Sequence, residues 1–116
     1  EAMAKITTYY SQLLSYFAEK LAATADGDGS LLDNSMILHG SGMSNGNLHD
    51  HKNLPLVLLG GGAGQLRSGR HIKYTELTPM ANLLLGLLDK AGIPADSFGE
   101  SNGRVDLEPL SLLSDA

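Results

Sequence analysis

Two short apolar runs, residues 35–39 and 54–59, enclose a polar stretch, and together with it they hold three of the chain's four histidines. Each run is bounded by turn formers, which predicts two strands buried on both faces, with Pro55 tolerated at the start of the second. Polar, imidazole-bearing loops at strand ends are where open α/β sheets place their ligands, so the segment 31–62 reads as a site on a scaffold. No complete catalytic constellation accompanies it.

At 116 residues the chain fits one domain with a single core. Aromatic residues make up 5% and Trp is absent, so that core must be built from Leu, Ile, Val and Met. A net charge of −5, from eight Lys and Arg against thirteen acids, argues against nucleic acid as a partner. The absence of Cys excludes disulfides, thiolate ligands and a Cys nucleophile, and leaves the compartment open. No apolar run approaches the ~20 residues that span a bilayer. The first five residues have neither a basic nor an apolar leader region, and a helical pattern begins at once, as expected of a chain cut from something longer or of a processed product.

Ile6, Tyr9, Tyr10, Leu13, Leu14, Phe17 and Leu21 recur at three- and four-residue steps, which predicts a helix over 4–24 packing its aromatic residues against the sheet. Asp26-Gly27-Asp28-Gly29 breaks it. Residues 31–75 read as strand, loop, strand and small hairpin, with a brief edge strand at His71-Ile72-Lys73-Tyr74. A second helix over 78–91 has Thr78 as N-cap, Pro79 at N1, Gly92 at C′ and Pro94 beyond. Residues 95–116 read as an irregular tail that lies on the surface or docks. The expected architecture is α/β, with helices packed on a small, mostly parallel sheet. Two buried strands need more sheet than this, which would come from the remainder of a parent chain or from a homodimer.

His49-Asp50-His51 is the densest group of ligands, and imidazole plus carboxylate suits a divalent metal such as Zn or Mn. On an extended segment His49 and His51 point the same way, while Asp50 points away and serves another role. His39 supplies a third ligand across the loop and Asp33 a fourth. The competing reading is that these groups hold the loop by side-chain to backbone hydrogen bonds. Gly61 and Gly62, in the run that ends at Gly64, offer backbone N–H groups to an anionic small molecule, supported by Arg70 and His71 with Arg67 and Lys73 nearby. A tight turn and a charged edge strand explain the same residues. Ser41 fails the nucleophile-elbow spacing, since one residue separates Gly40 from Gly42.

The segments Gly27-Asp28-Gly29-Ser30-Leu31-Leu32-Asp33-Asn34-Ser35-Met36-Ile37-Leu38, Gly40-Ser41-Gly42-Met43, His49-Asp50-His51, Asn53-Leu54-Pro55, Gly69-Arg70-His71-Ile72, Thr78-Pro79-Met80-Ala81-Asn82-Leu83 and Phe98-Gly99-Glu100-Ser101 resemble the C-terminal part of a bacterial family of unknown function named for an HXXSHH signature. The pattern is also similar to the end of an alkaline phosphatase or sulfatase-like fold. There a Leu-Asp-Asn-Thr segment introduces a strand, an Asp-His-Gly binds metal, and a Pro starts the next strand. Here Leu32-Asp33-Asn34-Ser35 and Pro55 match, but Ser41-Gly42-Met43 stands where Asp-His-Gly would. The resemblance implies an exported, metal-dependent hydrolase of phosphate or sulfate esters, with the missing signature upstream and this chain inactive alone. The alternative expectation is a non-catalytic binding or association module.

Overall fold

The computed structural model describes residues 2–108. The chain runs through helix α1 (Ala2–Ala22), strands β1 (Ala25–Asp26), β2 (Gly29–Ser30), β3 (Ile37–Gly40) and β4 (Leu56–Leu59), a single 3-10 turn at Gly62–Gly64, and helix α2 (Met80–Lys90). The tail expected over 95–116 is described as far as residue 108, and residues 109–116 lie outside the described residues.

The sheet differs from the mostly parallel one that the apolar runs suggested. Two separate two-stranded sheets form, β1 with β2 and β3 with β4, and both are antiparallel. The connection decides this. Parallel neighbours need a crossover of a dozen or more residues, usually helical, to carry the chain back to the starting end. The loop between β3 and β4 instead doubles on itself through a bridge between Asn45 and Asp50 and returns the chain in the opposite direction. The register pairs Ile37 with Leu59 and Gly40 with Leu56. With so few strands the expected two-sided burial fails as well: β3 is half-buried, and Val57 in β4 is 51% exposed. The stretch 71–74 forms no strand and is tied instead by the Tyr74 hydroxyl, which donates to the Asp106 carbonyl at 2.8 Å.

The helices do not pack on a sheet as expected either. No residue of α1 is buried, and Tyr9, Tyr10, Leu13 and Phe17 all face solvent. The core lies around α2, where Leu85, Asn82 and Gly86 are buried beneath Val105 and Leu107 of the segment 101–108. Gly86 permits that approach, because a Cβ there would stand 3.3 Å from the Val105 carbonyl oxygen. Asn82 organises the contact. Its Oδ1 accepts from the Asn102 N–H at 3.0 Å, its Nδ2 donates to Asn102 Oδ1 at 2.9 Å, and its carbonyl accepts from the Val105 N–H at 3.4 Å. Ion pairs of Arg104 with Asp89 and of Lys90 with Glu108 lie along the rim.

Helix α2 ends as its sequence suggests and begins differently. Gly92, at φ +74°, donates to the Asp89 carbonyl, and Ile93 donates to that of Leu88, the paired bonds of a Schellman end. At the start Pro79 occupies the cap position, and the Thr78 hydroxyl turns back to donate to the Thr75 carbonyl at 2.8 Å.

Candidate functional site

The histidine loop leaves β3 at Gly40 and closes by its own hydrogen bonds. The Ser44 N–H donates to the Asp50 carbonyl at 2.9 Å and the Asp50 N–H to the Asn45 carbonyl at 3.0 Å. Asn45 Oδ1 accepts from the N–H groups of Asn47 and Leu48, and Asp50 Oδ1 accepts from the Lys52 N–H at 3.0 Å. These are side chains substituting for missing backbone partners in a turn. Asp50 is therefore engaged in shaping the loop.

The two flanking histidines diverge from the extended geometry expected of them. His49 has φ +52°, a left-handed conformation that breaks strand-like alternation, so the i, i+2 argument for a shared direction does not apply. His51 is fixed in orientation: its Nδ1 lies 2.7 Å from the Gly42 carbonyl, an oxygen that can only accept. Nδ1 therefore carries a proton, and in the neutral ring that leaves the lone pair on Nε2, the tautomer found in histidines that bind ligands through Nε2. Gly42 also lines a cleft of about 230 Å³ with Leu38, Gly40, Ser41, Leu56 and Met80.

The other expected ligands sit on other elements. His39 lies half-buried on β3 opposite Val57. Asp33 Oδ2 accepts from the Ser30 hydroxyl at 2.7 Å and the Ser30 N–H at 2.9 Å. Those two bonds, the hydroxyl's first, hold the Asp33 carboxyl below its ordinary pKa. Among the described residues, no group of three or more His, Cys, Asp or Glu is placed to hold a metal ion.

The glycine run meets the turn before β3. The Gly61 N–H donates to the Leu32 carbonyl at 3.1 Å and the Gly62 N–H to that of Ser35 at 2.9 Å, so neither amide is free to face an anion. The approach is so close that a Cβ on Gly60 would overlap the Ser35 carbonyl, and one on Gly61 would stand 2.5 Å from that of Asp33. Arg70, expected to meet the same anion, donates through Nε to the Arg67 carbonyl at 3.2 Å and through its terminal nitrogen to that of Leu107. His71 is exposed beside it. Tyr74, next along, has its hydroxyl pKa raised by burial above all; nearby Asp106 adds to the rise and Arg70 opposes it.

Sequence reasoning missed Asn45 and Asn82, which close the loop and seat the 101–108 segment. Asn45-Gly46 is a turn signal readable in the string. Asn82 sits inside a regular helical pattern, which gives no hint that its amide is buried. No protein-family model, curated protein or solved structure matches the chain. No helix is long and apolar enough to cross a membrane among the described residues.

Proposed function

We propose that this chain presents the histidine loop of a bacterial phosphate- or sulfate-ester hydrolase similar to the HXXSHH-signature family, with the remaining site groups supplied from outside residues 2–108. The observation that carries the reading is the His51 ring, held through Nδ1 by the Gly42 carbonyl with Nε2 left to bind. His51 and the exposed His49 are the two donors, and Asp50 holds their loop. A Zn or Mn ion in such a site would polarise the ester oxygen as a Lewis acid. Two imidazoles do not complete the coordination of either ion, so no chemical step is assigned to this chain alone.

Zinc titration followed by imidazole NMR, with melting temperature recorded with and without chelator, tests this reading. The expected result is a zinc-dependent shift of the His51 and His49 resonances, with the melting temperature rising with zinc and falling with chelator. Unmoved imidazoles, or the same response in a His49→Ala/His51→Ala variant, would overturn it.

A second reading, association without catalysis, is favoured by α1, on whose apolar face no residue is buried among the described residues. It commits to a homodimer through that face, and sedimentation distinguishes it. A monomer at all concentrations, or a dimer that survives Leu13→Asp, would exclude it.

A further inference from the structure

The chain contains two Asn-Gly pairs, Asn45-Gly46 and Asn102-Gly103, and the fold treats them in opposite ways. We infer that Asn45 is a spontaneous modification site, converting through a cyclic imide to aspartate and isoaspartate, while Asn102 is protected by its hydrogen bonds to Asn82. The reaction needs only water. The Gly46 backbone nitrogen attacks the Asn45 side-chain carbonyl carbon, the new N–C bond closes a succinimide, and the bond to Nδ2 breaks. The proton shed by Gly46 passes through water to the departing amide, which leaves as ammonia. Water then adds at either imide carbonyl, giving aspartate or, at the other, isoaspartate.

Both Asn-Gly pairs are exposed and neither glycine has a side chain to obstruct attack, so the difference lies in the hydrogen bonds. Asn45 Oδ1 accepts from the Asn47 N–H at 3.0 Å and the Leu48 N–H at 3.2 Å. Two donors on that oxygen polarise the carbonyl and stabilise the negative charge it gains as the carbon becomes tetrahedral, as an oxyanion hole does. Asn102 is exposed too, but its side chain is held by Asn82 Nδ2 and its N–H by Asn82 Oδ1, and Asn82 is itself only 6% exposed on α2. The Asn102 amide is thus fixed by a buried partner, and attack must wait for that pair to open.

The consequence falls on the histidine loop. Conversion adds one negative charge beside His49, Asp50 and His51. The isoaspartate form also lengthens the backbone between Asn45 and Asp50, whose N–H to carbonyl bond helps close the loop.

The experiment is incubation of the folded chain at mildly alkaline pH, followed by peptide mass mapping for the amide-to-acid mass change and by enzymatic isoaspartate labelling. Residue 45 should convert at least roughly tenfold faster than residue 102, as a local opening penalty of about 1.4 kcal/mol or more at Asn102 would give. In urea the two rates should converge. Gly46→Ala, whose Cβ would meet nothing within 4 Å, should slow residue 45 and leave residue 102 unchanged. An unmodified residue 45, equal rates in the folded chain, or a ratio that persists in urea would overturn the inference.

Discussion

Helix α1 extends over 21 residues with none of them buried, whereas α2, at 11 residues, buries Asn82, Leu85 and Gly86. Both carry an apolar stripe at helical spacing. The difference is the segment 101–108, which covers α2 and is anchored from several directions: by Asn82, by the Arg70 and Tyr74 side chains, and by ion pairs from Asp89 and Lys90. An apolar stripe therefore says which face of a helix is suited to being covered, and nothing about whether or by what.

The contrast is sharpest at Leu85, which is 1% exposed. Leu85→Ala should cost about 2–5 kcal/mol, read from urea unfolding, through lost transfer energy and the cavity left behind. A loss below that range would mean that the α2 face is no better packed than the α1 face. Asn82→Ala should follow at about 1–3 kcal/mol, because it removes both side-chain hydrogen bonds of an amide that is only 6% exposed. The same variant should raise the rate of modification at residue 102. Leu13→Ala on α1 should stay within roughly 0.5 kcal/mol in dilute monomer, since a residue at 45% exposure loses little by truncation. A larger loss that depends on concentration would show that the face is covered by another copy.

The smallest effect concerns acid. Asp33 has its folded pKa depressed by Ser30, so the stability it contributes is present above the ordinary carboxylate value and is lost as pH falls through the lower folded value. Ser30→Ala should flatten that acid limb of the melting temperature against pH profile, and an unchanged limb would remove Asp33 from the account.

The legible parts of this chain are those whose signal is local. The apolar spacing from Ile6 to Leu21 and the Gly92 stop mark helices, because both act within a turn or two of chain. Strand direction was not legible, since it depends on how residues 41–55 fold between β3 and β4. The alternation argument for His49 and His51 lost its basis for a related reason: His49 is left-handed, and extended backbone is what alternation takes for granted. The docking of 101–108 was invisible because much of it is made to backbone, through the Val105 N–H and the carbonyls of Asp106 and Leu107.

Arg70 and Tyr74 grip those two carbonyls, and every amino acid carries a carbonyl. The grip thus places no demand on the side chain at position 106, which is exposed, and shape alone constrains position 107, where an apolar residue must fill the space over Gly86. An exchange at position 106 leaves that grip intact, whereas an exchange at Arg70 or Tyr74, remote in sequence, removes one of the segment's anchors.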